Sequence, residues 1–169
     1  YKALGNAAKR TIRVLASEAE QARKLVEQFA KGLPDLEEIA KDKNKLEDFL
    51  RGEEEYASYA LDVRRKLWND FVSKTENLLL TEIDLSGADL SAFNFSRMHI
   101  IRVDFAVANL TGASFLKSTI ISAKFSQTNL EGADFRATRF KDDILVGEMV
   151  HVKAHKINFQ GAIIESNLL

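Results

Sequence analysis

Residues 83–112 read IDLSG ADLSA FNFSR MHIIR VDFAV ANLTG when the sequence is divided into blocks of five. The third residue of every block is apolar, and the same frame continues through fourteen successive apolar centres from Leu85 to Val150. A helix would spread a five-residue spacing around its surface, and a strand would alternate it between two faces. The chain is therefore predicted to turn back on itself at every block, which keeps the apolar centres inside.

The other positions of the block are also restricted. The first residue is small or apolar from Ile83 to Thr138, and only Asp143 and Glu148 break this rule. The second residue is mostly Asp or Asn. Glycine occurs only at the last position of a block, where a corner requires a special backbone conformation, and the five examples are Gly87, Gly112, Gly132, Gly147 and Gly161.

Three blocks resemble the A-(D/N)-L-x-x unit of the pentapeptide-repeat family: Ala88–Ala92, Ala108–Gly112 and Ala133–Ala137. The resemblance covers residues 80–169. It implies that the C-terminal half is a right-handed, quadrilateral β-helix, with one pentapeptide on each side. Together with the helices predicted for the N-terminal half, this gives an α+β fold class. The first and central residues of each block would then point inward and stack from coil to coil.

The repeat is predicted to slip once. After Val150 the apolar centres that fit are Ala154, Phe159, Ile164 and Leu169, one residue early. Because Asp143 and Glu148 stand at inward positions just before the slip, and a buried acid is costly, we expect a distortion or outward loop around residues 142–153.

The N-terminal half has a helical period instead. Apolar residues recur at alternating spacings of four and three, which places them on one seam of a long helix that ends near Lys31, before Gly32 and Pro34: Ala8, Ile12, Leu15, Ala19, Ala22, Val26 and Phe29. This seam offers a partner site by coiled-coil pairing, although packing against a later helix of the same chain explains it more simply.

Two further helices are predicted before the repeats. Asp35 is a suitable N-cap for a short second helix that ends at Gly52, and a third helix is expected from about Glu53 to about Leu79. The third helix has an apolar stripe that includes Val63, Leu67 and Phe71. Residues 1–79 are thus predicted to form an antiparallel helical hairpin that caps the solenoid domain of residues 80–169.

Candidate partner-binding residues come from the outward positions of the blocks. Outward positions on one side recur every twenty residues, so Ile101 and Ile121 should stack on one face, with Leu116 on the neighbouring face. Other blocks mostly have Ser or Thr at this position, and we interpret the three apolar residues as a docking surface. Two alternatives are that the helical hairpin covers them, or that they are strand-favouring surface residues without a partner.

The composition of the chain argues against a catalytic or metal site. The 169 residues include no cysteine, and 24 basic residues face 25 acidic ones, with neither half of the chain strongly charged. His99 lies far from His151 and His155 in the repeat frame, so a three-histidine metal site is not expected. We expect no catalytic set, cofactor, metal or nucleic-acid stripe, and no apolar run is long enough to span a membrane. The protein is expected to be soluble, either cytoplasmic or secreted.

The sequence therefore predicts a non-enzymatic interaction or scaffold module whose partner is another protein. The family resemblance extends this to an adaptor or a part of a larger secreted bacterial effector. The alternative is a DNA mimic that binds type II topoisomerase, DNA gyrase, and protects against quinolones; such mimicry needs rows of carboxylates at phosphate spacing. The C-terminal end of the solenoid is either cut before a cap or a site of self-association.

Overall fold

The computed structural model describes residues 13–21, 23, 32–141, 156 and 158–165. The chain divides into two compact units, with the boundary between Asp35 and Leu36. In the first unit, residues 13–21 and 23 are helical, and all of them are exposed. The left-handed conformation predicted for Gly32 is confirmed by its φ of +85°. The rest of the predicted first helix lies outside the described residues.

The second unit begins with short helices and continues as a stack of parallel strands. The helices are α1 (Leu36–Ile39), α2 (Lys43–Arg51) and α3 (Leu61–Lys74), with a 3-10 turn at Glu54–Tyr56 before α3. Five strands follow in one sheet in the order β1-β2-β3-β4-β5: β1 (Leu79–Thr81), β2 (His99–Ile101), β3 (Thr119–Ile121), β4 (Arg139–Lys141) and β5 (Ile163–Glu165).

The bounds of the helices differ from the prediction. The second predicted helix is two helices, because Asp42 interrupts it and caps α2 by accepting hydrogen bonds from the backbone of Asn44 and Lys45. Gly52 ends α2 with a φ of +73°, as predicted. The third helix runs from Leu61 to Lys74 and not from about Glu53 to about Leu79, where the first strand already begins. Between Glu53 and Leu61 the chain turns so that Tyr56 packs its ring on Phe49, with centroids 5.4 Å apart.

The repeats form a coil of twenty residues. Strand partners are twenty residues apart, as in Ile100 and Ile120, and single bridges join Asp84 to Asp104, Asp89 to Asn109 and Asn94 to Ser114. Each five-residue unit is thus hydrogen-bonded in parallel to the unit one coil later. The family resemblance therefore predicted the stacking correctly.

The core of the stack consists of the first and central residues of the blocks. All first residues from Ile83 to Thr138 are buried, and so are all central residues from Leu85 to Phe140. Phenylalanines form an aromatic column in which centroids are 5.2 Å apart from Phe95 to Phe115, 4.7 Å from Phe115 to Phe135 and 5.3 Å from Phe135 to Phe159. These spacings match the distance between neighbouring strands.

The predicted slip of register is confirmed. Phe140 pairs with Ile164, 24 residues later, whereas Ile120 pairs with Phe140 at the ordinary separation. Phe159 stacks on Phe135 across the same 24 residues, so the predicted centres Phe159 and Ile164 both align with the coil above. Asp143, Glu148 and the expected loop at 142–153 lie outside the described residues.

The last position of each block has a left-handed backbone. Between Glu82 and Ala137 this conformation occurs at three glycines and at nine residues with a side chain, Val107 among them. Non-glycine residues pay a steric penalty there, and a β-branched residue is the least suited. Val107 has a φ of +62° and is 61% exposed, so burial does not offset its strain.

The helices cover the first edge of the coil with polar side chains. Each later coil receives backbone hydrogen bonds from the coil before it, and the first coil has none before it. The Asn69 side-chain amide supplies two of the missing hydrogen bonds. Its nitrogen donates to the Ala92 carbonyl at 3.1 Å, and its oxygen accepts from the Asn94 backbone N–H at 2.8 Å. The Trp68 indole donates to the Asn94 carbonyl at 2.8 Å.

Two side chains of α2 do the same for the block of residues 83–87. The Arg51 guanidinium donates to the carbonyls of Ser86 at 2.9 Å and Asp84 at 3.2 Å. The Glu47 carboxylate accepts from the Asp84 backbone at 2.9 Å. Side chains of the helices therefore satisfy backbone groups of the first coil that would otherwise pair with a preceding coil.

The strained corner leads to a prediction about stability. Val107→Asn should raise the free energy of unfolding by roughly 0.5–1 kcal/mol, because Asn tolerates the left-handed region that Val resists. Gly112→Val, at the same block position, should lower it by about 1–2 kcal/mol through strain alone, since a side chain there would meet no atom within 4 Å. Urea denaturation of both variants measures the effect, and equal midpoints would contradict the strain argument.

The polar cap leads to a second prediction. Asn69→Leu should lower the free energy of unfolding by about 1–3 kcal/mol, because the Ala92 carbonyl and the Asn94 amide both lose their partner. The matched control is Lys66→Ala on the same helix, which removes only an exposed pair with Asp70 and should cost less than about 0.5 kcal/mol. Hydrogen exchange provides the local measurement: the Asn94 amide should lose protection in Asn69→Leu and keep it in the control.

Candidate interaction surfaces

The outward side of strands β2 and β3 brings Ile101 and Ile121 together. The two residues are direct partners in the parallel pairing of the strands. Both are half-buried, with Thr81 before them and Lys141 after them in the same column. Since inward positions of the blocks already supply the core, these isoleucines do not contribute to the interior of the coil. The predicted stacking of Ile101 on Ile121 is confirmed.

Leu116 lies on the neighbouring five-residue unit, in the turn that leads into β3. It is half-buried, and its carbonyl accepts a hydrogen bond from the Arg97 backbone. Its block position matches that of Ile101 and Ile121, as predicted, but on an adjacent side of the coil. We call Ile101, Ile121 and Leu116 the isoleucine surface.

Several charged side chains of the described solenoid form ion pairs, two of them between coils. Glu82 pairs with Arg102, and Asp104 pairs with Lys124 at 3.1 Å, in each case across one coil. Asp134 pairs with Arg136 at 2.7 Å within its own block. Because exposed pairs of this kind contribute little stability, their main effect is to cancel the field of the carboxylates.

Local hydrogen bonds also hold two carboxylates in their ionised form. The side-chain hydrogen bond from Arg136, with its charge nearby, lowers the pKa of Asp134. Hydrogen bonds from Ser86, together with the Arg51 charge, lower the pKa of Asp84. Both carboxylates therefore remain charged at neutral pH, and both have a guanidinium within ion-pair distance.

Histidines and metal ligands do not gather on this part of the chain. His99 is exposed at the outward side of β2, while His151 and His155 lie outside the described residues. Within the described ranges, no group of three or more His, Asp or Glu side chains is placed to hold a metal ion. No described helix is both long enough and apolar enough to cross a membrane.

Sequence reasoning missed the residues that bind the first coil. The stripe Val63, Leu67 and Phe71 is only partly buried, whereas the fully buried line of α3 is one residue further along, at Arg64, Trp68 and Val72. The face of α3 that carries Trp68 lies against the first coil, so the neighbouring apolar stripe stays partly exposed. An Arg and a Trp at helical spacing with Val72 were the available signal.

Arg64 shows why a charged residue is found in this line. Its guanidinium donates to the carbonyls of Phe49 at 3.1 Å and Leu50 at 2.8 Å, at the C-terminal end of α2. A positive group is favourable at this end of a helix. Burial lowers the pKa of Arg64, but an arginine stays charged at any physiological pH. A Cβ at Gly52 would lie 2.5 Å from the Arg64 guanidinium carbon, so this position requires glycine.

Comparison with known proteins identifies the repeats. Eight copies of the "Pentapeptide repeats" family match the chain over residues 79–115, 99–136 and 120–142. No curated protein matches the sequence significantly.

Several solved structures are similar to part of the chain. The pentapeptide repeat protein Rfr23 from the cyanobacterium Cyanothece 51142 is 16% identical with a TM-score of 0.42, over 54% of this chain and 63% of its own. HetL from Nostoc, a pentapeptide repeat protein involved in heterocyst differentiation regulation, is 18% identical with a TM-score of 0.31, over 56% of this chain and 46% of its own.

A pentapeptide repeat protein from the thylakoid lumen of Arabidopsis thaliana is 23% identical, with a TM-score of 0.27, over 57% of this chain and 59% of its own. The chain thus covers about half to three fifths of the length of these structures. The five-residue frame and the parallel coil of twenty residues agree with the eight family matches, and residues 79–142 of this chain are pentapeptide repeats.

Proposed function

We propose that this protein is a non-enzymatic interaction or scaffold module that binds another protein through the isoleucine surface. Pentapeptide-repeat proteins generally mediate protein interactions, and this supports the class of function. In the proposed form the coil is right-handed and four-sided, with one pentapeptide on each side. An adaptor, or a part of a larger secreted bacterial effector, is the role that we favour for such a module.

The observation that carries the proposal is the pairing of Ile101 with Ile121 on the outward side of β2 and β3. At the equivalent outward position two sides away, the coil has Ser91 and Thr111. A solenoid needs no apolar residue outside, so two adjacent isoleucines there are best explained by a partner that covers them.

The second candidate, a DNA mimic on topoisomerase, is less well supported by the charges. A mimic requires carboxylates that stay unneutralised in rows. In the row that contains Asp84 and Asp104, the next residue is Lys124, which binds the Asp104 carboxylate. Glu82 is likewise matched by Arg102. These pairs favour a neutral docking face over an imitation of the phosphate backbone.

Two earlier expectations remain predictions within this proposal. One is the division of the chain into a helical domain of residues 1–79, folded as an antiparallel hairpin that caps the solenoid, and a solenoid domain of residues 80–169. The other is self-association through the C-terminal end of the solenoid.

Substitution on the isoleucine surface tests the proposal. Ile101→Asp combined with Ile121→Asp should reduce capture of the partner from a lysate of the source cell by at least about tenfold, because each charge would be desolvated in the interface. The matched control, Ser91→Asp with Thr111→Asp, places the same charges at the same block position two sides away and should leave capture unchanged. Quantitative mass spectrometry of the bound proteins measures both.

The outcome distinguishes the two candidates. Equal loss of capture in both double variants, or no loss in either, would exclude the isoleucine surface as the binding site. A separate experiment measures the supercoiling activity of purified DNA gyrase, which the wild-type protein should leave unchanged. Inhibition that survives the isoleucine substitutions would favour mimicry in place of docking.

A further inference from the structure

Two basic residues stack on one corner of the coil, beside the isoleucine surface. Arg97 and Lys117 occupy the last position of blocks that lie one coil apart, and both have a left-handed backbone, with φ of +60° and +58°. Both residues are exposed. The chain continues from Arg97 into β2 and from Lys117 into β3, and Leu116 comes directly before Lys117. We call Arg97 and Lys117 the basic corner.

The charges of the basic corner are not compensated. Like charges placed opposite each other on neighbouring strands are destabilising. Asp84 and Asp104 also stack as like charges, but Arg51 lies 3.8 Å from the Asp84 carboxylate and Lys124 lies 3.1 Å from that of Asp104. Within the described residues, neither side chain of the basic corner has an ion pair or a hydrogen bond. An anionic group bound there would remove the repulsion.

The side of the coil next to the basic corner has no carboxylate on the outward face of β2, β3 or β4. The middle residue of each strand is buried, so the first and third residues form this face: His99, Ile101, Thr119, Ile121, Arg139 and Lys141. At the far corner of the same side, the Glu82 carboxylate pairs with Arg102. A partner that covers the isoleucines therefore meets apolar and basic side chains, and charge complementarity favours an acidic partner.

The path along the strands predicts how these groups are spaced in the partner. Ile101 follows Arg97 by four residues, and Ile121 follows Lys117 by four residues. At about 3.3 Å per residue, this separation is at most roughly 13 Å. An extended peptide that lies along the strands covers such a distance with about three or four residues. Its apolar side chains would contact the isoleucines while its carboxylates reach the basic corner.

We propose that the partner of the isoleucine surface is an acidic polypeptide segment, in which Asp or Glu residues lie about three or four positions from apolar residues. The apolar residues pack on Ile101 and Ile121, and the carboxylates form charge-assisted hydrogen bonds with Arg97 and Lys117. This inference rests on the proposed function, because it names the chemistry of what binds the same surface.

Synthetic peptides test the proposal with the full chain. The probe is a fluorescein-labelled peptide of Ser and Thr that carries two Leu and then two Glu residues at successive alternate positions, so that all four project from one face of the extended peptide. A reference peptide has Lys in place of Glu. Fluorescence anisotropy should show at least about tenfold tighter binding of the Leu–Glu peptide. Equal affinity for the two peptides, or tighter binding of the Leu–Lys peptide, would overturn the proposal.

Substitution of the basic corner provides a second measurement. Arg97→Gln combined with Lys117→Gln should weaken binding of the Leu–Glu peptide by at least about fivefold and reduce its dependence on salt. The matched control, Val107→Glu with Gln127→Glu, lowers the net charge by the same two units at the same block position, two corners away. The control should leave binding unchanged. Equal weakening by both double variants would overturn the proposal, because it would show only an effect of net charge.

Capture of the natural partner separates failure of this inference from failure of the proposed function. If Ile101→Asp with Ile121→Asp abolishes capture while the basic-corner variant keeps it, the partner is not held by its acidic groups; this inference then falls and the proposed function stands. If neither double variant reduces capture, both fall. Loss of capture in both, with no loss in the Val107→Glu and Gln127→Glu control, supports both.

Discussion

The parallel stacking of like residues, one coil above the next, is the constraint on which the rest of the structure depends. Each coil has room for one central side chain per unit, and the aromatic column of Phe95, Phe115, Phe135 and Phe159 fills one row of these positions. Because neighbouring coils must lie at the strand spacing, the number of residues inside a coil cannot vary. The column continues from Phe135 to Phe159, although four more residues separate this pair than separate the other pairs of the column.

Stacking also creates an edge that must be satisfied. Within the stack, every coil is both donor and acceptor to its neighbours, whereas the first coil lacks a preceding partner. The side chains of Glu47, Arg51, Trp68 and Asn69 supply these hydrogen bonds from helices. A helix has no free backbone groups along its length, so only side chains can do this. The cap therefore depends on a few polar residues as much as on apolar burial.

The sequence predicts the repeat far better than the cap, for a physical reason. A period of five is repeated many times, so the inward positions, the corner glycines and the slip before Phe159 can be derived from the pattern. The cap residues occur once each. Asn69 and Arg51 look like ordinary solvent-facing residues of a helix, and their function follows only from the position of the first coil. For the same reason, the sequence pattern placed the buried face of α3 at Leu67, whereas in the structure this face is centred on Trp68.

Polar residues inside the stack show a second limit of the pattern. The first block position accepts any small residue, yet threonine there requires an acceptor. Thr128 and Thr138 donate to the carbonyls of Phe105 at 2.8 Å and Phe115 at 2.6 Å, both 23 residues earlier. In the described structure, the Ser118 hydroxyl at the equivalent place has no such partner. The described coils therefore contain both paired and unpaired hydroxyl groups at this position, and the energetic effect of a hydroxyl differs from one coil to the next.

The separation of core and surface in this fold bears on how it binds. Inward positions set the stability of the coil, so outward residues such as Ile101 and Ile121 can change without loss of the fold. A short apolar surface of this kind gives only modest affinity, because association must first offset lost translational and rotational freedom.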